Sequence, residues 1–97
     1  MMLKEIAVMK NKDWSLNLED PYYEVRPDIM FEESLVAIQE TNLGFYVNLV
    51  TPGKNGDPRD WLIAHLKEQL DLEGVEWKEI CYIDECGCGG HVTRVYR

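Results

Sequence analysis

Phe45-Tyr-Val-Asn-Leu-Val50, running on through Thr51-Pro-Gly-Lys-Asn-Gly56 into Asp57-Pro-Arg-Asp60, decides the fold class of this chain. The first six residues are apolar enough to form a strand central to a sheet. A loop carrying two glycines and a proline ends that strand. The helix that follows is marked at its start by Asp57 as N-cap, by Pro58 at the first helical position and by Asp60 near the positive end of the helix dipole. Leu62, Leu66 and Leu70 then recur at helical spacing, with Ile63 alongside, and Gly74 closes the helix. A strand passing directly into a helix in this way predicts an α/β domain.

Working towards the N-terminus, Asp28 is a candidate cap for an earlier helix reaching about Asn42, with Phe31, Leu35 and Ile38 on one face and Gly44 as its stop. Asp20-Pro21 and Arg26-Pro27 enclose an irregular loop containing Tyr22 and Tyr23. Trp14, Leu16 and Leu18 alternate with Ser15, Asn17 and Glu19, which reads as a half-buried strand. Leu3 to Met9 reads as a further, largely buried strand, with Asn11-Lys12-Asp13 as a turn. Towards the C-terminus, Val75–Asp84 and His91–Arg97 read as two strands of a hairpin. Each strand-helix-strand pass is expected to be a right-handed crossover that leaves parallel neighbours. The expectation is a small mixed sheet of four to five strands with two helices, ending in a C-terminal β-hairpin.

A chain of 97 residues with 45% hydrophobic content accommodates one core, so residues 1–97 read as one domain, with 84–91 as a Cys/Gly-rich hairpin loop. The net charge of −8 and the lack of a Lys/Arg cluster argue against nucleic acid. Charges inside the apolar run Met1–Lys10 argue against a signal peptide, and no stretch is long enough to cross a membrane. A cytoplasmic location is therefore expected, with thiols that are reduced, metal-bound or chemically modified. The odd count of three cysteines also fits poorly with a secreted disulfide framework.

All three cysteines fall in Cys81-Tyr-Ile-Asp-Glu-Cys86-Gly-Cys88-Gly-Gly90-His91. Gly87, Gly89 and Gly90 can turn the backbone sharply enough to display two thiols on an exposed loop. Cys81, Cys86, Cys88 and His91 have the composition of a Cys3His zinc site, although C-x4-C-x-C-x2-H departs from the usual C-x2-C pairs and Cys81 falls inside a strand. A thiol-redox centre is a third reading, because His91 stands close enough in sequence to Cys88 to favour its thiolate. Asp84 and Glu85 act against it, since neighbouring carboxylates raise a thiol pKa. The bland reading is a glycine-rich turn with inert cysteines. Thr51–Gly56 has the position of an anion-binding loop but lacks the P-loop pattern, and reads as a plain connection. His65, Trp14, Trp61 and Trp77 read as packing residues. Glu19-Asp20, Glu32-Glu33 and Asp84-Glu85 read as solvated surface.

Cys86-Gly-Cys-Gly-Gly-His-Val-Thr-Arg-Val-Tyr96 resembles the signature of the CGCGG family, small archaeal proteins classed as targets of a partner radical-SAM enzyme. Trp14-Ser-x-Asn-Leu-Glu19 and Val47-Asn-Leu-Val-Thr51 are also similar to stretches of that family, so the resemblance extends over most of the chain. It implies a ribosomally synthesised, post-translationally modified protein (RiPP) that is a substrate and not an enzyme, with a radical-SAM maturation enzyme as partner and no cofactor of its own. Cys86, Gly87, Cys88, Gly89 and Gly90 would be the modification target. Zinc enters only under the alternative reading through Cys81, Cys86, Cys88 and His91.

Overall fold

Side chains along Tyr46–Thr51 alternate between half-buried and buried in the computed structural model, which describes residues 9–85, 87 and 89–97. Val47, Leu49 and Thr51 point into the core, as a strand period of two requires. This strand is β2. Before it come β1 (Trp14–Asn17), a single helical turn α1 (Pro21–Glu24) and the long helix α2 (Pro27–Glu40). After it come α3 (Pro58–Trp61), α4 (Ile63–Leu72), β3 (Glu79–Glu85) and β4 (His91–Tyr96). Among the described residues the sheet has four strands in the order β1-β2-β4-β3. The expected α/β class and the C-terminal β3–β4 hairpin are both present. The expected strand Leu3–Met9 lies outside the described residues apart from Met9, after which Lys10 makes an isolated parallel bridge to Thr41.

Both long helices cover the same face of the sheet. Leu35 and Ile38 from α2 join Leu66 and Leu70 from α4, and Leu62 at the head of α4, over Val47, Leu49, Ile80 and Val95. The apolar faces read from the sequence for the two long helices thus supply the helix side of the core, with Phe31 packed at its edge, and burying each such side chain is worth about 1.5–3 kcal/mol. Trp14, Trp61 and Trp77 pack at its edge, and each indole N–H has an acceptor: Thr41 Oγ1, the Gly56 carbonyl and Asp71 Oδ1.

Several boundaries differ from expectation for identifiable reasons. Helix α2 starts at Pro27 with Arg26 as N-cap, so Asp28 sits inside the first turn and is not the cap. Proline at the first helical position is pre-set to φ near −65°, and the same rule turns the expected irregular loop into α1, capped by Asp20 through the Tyr22 amide. Asp57 caps α3 as expected, accepting from the Arg59 amide at 2.8 Å, but the expected single helix divides at Leu62 into α3 and α4. Strand β3 starts at Glu79 and not at Val75, because Val75 belongs to the helix stop. Gly74, at φ 69°, donates to the Asp71 carbonyl and Val75 to the Leu70 carbonyl, which together make a Schellman cap.

The expectation of parallel neighbours holds for one pass only. β1 and β2 are parallel neighbours, with Trp14 opposite Val47 and Asn17 opposite Val50. β2 and β3 are not neighbours. β4 lies between them and runs antiparallel to both.

Candidate functional site

The hairpin end of β3 and β4 meets the loop that leaves β2. Thr51 is the register partner of His91, and its Oγ1 lies 3.5 Å from the His91 carbonyl oxygen. Residues 53–55 form a 3-10 turn next to the Gly89-Gly90 segment. A Cβ placed on Gly53 would overlap the carbonyl oxygen of Gly89, so the two backbones approach as closely as only glycine permits. Gly89 has φ 93°, in the left-handed region. Gly87 and Gly89 are exposed, and a Cβ on either would meet no atom within 4 Å, whereas Gly90 is buried. Cys86 and Cys88 lie outside the described residues.

The loop from β2 is itself anchored. Lys54 pairs with Glu24 at 3.6 Å, and the Asn55 side-chain amide donates to the Glu24 carbonyl at 3.3 Å. A groove of about 480 Å³ opens between Pro52-Gly53-Lys54 on one side and Gly89-Gly90 on the other, bounded by Glu19 and Glu24. The stretch read as a plain connection is therefore the seat of Gly89 and Gly90, the last two residues of the motif. Its two glycines were the available signal, but a close approach between loops distant in sequence is visible only in three dimensions.

A polar chain continues from the seat to His91. The Tyr82 hydroxyl lies 2.9 Å from His91 Nδ1. Burial, assisted by the Glu85 carboxylate, raises the Tyr82 pKa, so the phenol keeps its proton at neutral pH. The Arg59 guanidinium stacks 4.3 Å from the Tyr82 ring centroid and grips Asp57 through Nε at 3.0 Å and Nη2 at 2.6 Å. Hydrogen bonds from the Arg59 side chain and amide hold the Asp57 carboxyl down at about 2. Arg59 and Tyr82 were not legible as site residues, because they come from different elements and match no motif.

Cys81 is elsewhere. Its register partner is Arg94, and that pair lies on the sheet face away from the helices, with Asn48 and Ser15 continuing the row. Arg94 Nε donates to Asn48 Oδ1 at 2.8 Å, and the guanidinium stacks 4.0 Å from the Tyr46 ring centroid. Burial raises the Cys81 pKa, Glu79 adds to the effect and Arg94 opposes it, so the thiol stays protonated at neutral pH. His91 shares its face with Thr93 and Val95, the side opposite Cys81. Of the four residues proposed for zinc, the two described ones are not brought together. Among the described residues no three His, Cys, Asp or Glu side chains are grouped to hold a metal ion, and no helix is long and apolar enough to cross a membrane. His65 stacks on Phe31 at 4.1 Å, as a packing residue.

A family model described as "Putative radical SAM target protein" matches residues 4–97. Comparison with curated proteins and with solved structures finds no match.

Proposed function

We propose that this chain, which belongs to the family of radical SAM target proteins, is modified at Cys86-Gly-Cys-Gly-Gly90 by a partner radical-SAM enzyme. The chain is the substrate of that enzyme. The observation that carries the choice of segment is the open space around Gly87 and Gly89 at the end of the β3–β4 hairpin. An enzyme that acts through a deoxyadenosyl radical must bring a C–H bond into contact with it, which requires exposed backbone. Glycine Cα–H bonds suit this chemistry because the resulting radical is stabilised between the amide nitrogen and the carbonyl. Gly87 and Gly89 offer such bonds to solvent, and the neighbouring thiols of Cys86 and Cys88 are candidates to trap the radical as a thioether. The enzyme's S-adenosylmethionine is reductively cleaved to methionine and a deoxyadenosyl radical, which leaves as deoxyadenosine with the Cα hydrogen. The thiol releases a proton, the C–S bond forms, and the surplus electron returns to the enzyme's iron–sulfur cluster.

Coexpression with the radical-SAM partner is expected to lower the intact mass by two hydrogens per thioether. The Cys86→Ala, Cys88→Ala double variant should remain unmodified. An unchanged wild-type mass together with stoichiometric zinc by elemental analysis would replace the target reading with the metal one.

A further inference from the structure

We infer that maturation ends with the folded chain itself: the modified loop is used in place on the hairpin, and no excision step follows. This rests on the target reading above, but the observation behind it is the sheet order. β4 starts at the residue immediately after the motif and occupies the interior of the sheet. It pairs with β2 from Tyr46↔Tyr96 to Thr51↔His91, and with β3 from Glu79↔Tyr96 to Glu85↔His91. Thr93 and Val95 are fully buried. Beyond it, the Arg97 amide donates to the Phe45 carbonyl, and its guanidinium donates to the carbonyls of Glu76, Ile38 and Thr41.

A modified peptide that is to be released needs flanks that a peptidase can reach and that the remainder can lose. Here, a cut on the C-terminal side of Gly90 would have to be followed by extraction of an interior strand. Every backbone group that β4 shares with two neighbours would then be left without its partner. The N-terminal flank is no freer, because β3 places Ile80 in the core and pairs along β4 up to the motif. The contact between Gly53 and Gly89 further ties the motif to the loop from β2. Whatever uses the modified group therefore meets it on the domain, where the groove between Pro52-Gly53-Lys54 and Gly89-Gly90 opens beside it. The reaction class that the geometry removes from this sequence of events is peptide-bond hydrolysis next to the motif.

The test is to recover the chain, carrying an N-terminal affinity tag, from its native cells containing the partner enzyme. Its intact mass and hydrogen exchange are then compared with those of chain made without the enzyme. The expected result is the full-length mass less the hydrogens lost in modification, with the Val92–Tyr96 amides as protected as in the unmodified chain. A chain ending before His91, or loss of β4 protection on modification, overturns the inference and leaves the target reading standing. A full-length chain of unmodified mass removes the target reading, and this inference with it.

Discussion

Cys81 and Tyr82 are adjacent in the chain but belong to two different environments. Cys81 faces away from the helices, in a row that runs Ser15, Asn48, Arg94, Cys81 across all four described strands. Tyr82 lies on the helix-covered face, in the row Leu16, Leu49, Thr93, Tyr82. The outer row is organised by one guanidinium, which hydrogen-bonds Asn48 and stacks on Tyr46. At the hairpin end the covered face carries His91, Tyr82, Arg59 and Asp57, which connect in series. Strand alternation thus divides a cluster that looks continuous in sequence. The surroundings of the motif are set by the β2 loop and the start of α3, not by the nearest cysteine upstream.

The largest expected effect comes from breaking the seat on the covered side. Gly53→Ala places a methyl group against the Gly89 carbonyl oxygen, a backbone atom that cannot swing away. Overpacking of this kind costs about 1–3 kcal/mol, and denaturant titration is expected to show it. Gly44→Ala is the control, because that site has φ 92° but open space and so incurs only left-handed strain of about 1–2 kcal/mol. Modification by the partner enzyme should fall in Gly53→Ala and persist in Gly44→Ala. Equal modification of both variants would show that the seat has no part in presenting the loop.

Tyr82→Phe is a finer cut. It keeps the ring under Arg59 but removes the hydroxyl from His91. The unfolding midpoint is expected to drop by less than in Gly53→Ala, and exchange of the His91 and Val92 amides should quicken while that of Val47 and Leu49 does not. Uniform acceleration throughout the sheet would mean that the hairpin end is not a separate unit.

The Asp57–Arg59 pair sharpens the comparison through pH. The folded carboxyl titrates at about 2, against an ordinary 3.8. A depressed pKa means that the contribution to stability is fully present above the ordinary value and is lost as pH falls through the folded one. Wild type should therefore lose its advantage over Asp57→Asn as pH falls from 3.8 to about 2, while the difference stays constant around neutral pH. Because the pair is solvent-exposed and screened, the difference should shrink in high salt. Parallel acid-unfolding curves for the two proteins would show that the carboxylate is not held by Arg59.

Much of this arrangement was legible beforehand, and what was not has physical causes. The apolar faces of α2 and α4, the existence of β2 and the Asp57 cap follow from local periodicity and capping chemistry, which neighbouring residues alone determine. The start of α2 was displaced because Pro27 outweighed Asp28, a competition between two valid local signals. Strand order is a different matter. The insertion of β4 between β2 and β3 depends on long-range pairing that no local pattern encodes. The candidate motif was visible as composition, but its contact with Gly53 and the link from His91 to Arg59 both follow from that pairing.

The smallest expected effect, and the sharpest test of the division, is at Cys81. Cys81→Ala removes a half-buried thiol whose surroundings, Arg94 opposite and Glu79 nearby, are otherwise unchanged. Such a truncation is expected to cost about 1 kcal/mol or less. The mass change produced by the partner enzyme should be identical to that of wild type, because the sheet itself stands between this side chain and His91. The thiol also begins protonated, held so first by burial and then by Glu79, which makes it a poor nucleophile at neutral pH. Alkylation of the folded protein should accordingly label Cys81 slowly, and faster as the pH is raised. If Cys81→Ala instead abolished modification, the reacting thiol would have to come from the outer face, and the hairpin would have to open along β3 for it to reach the motif.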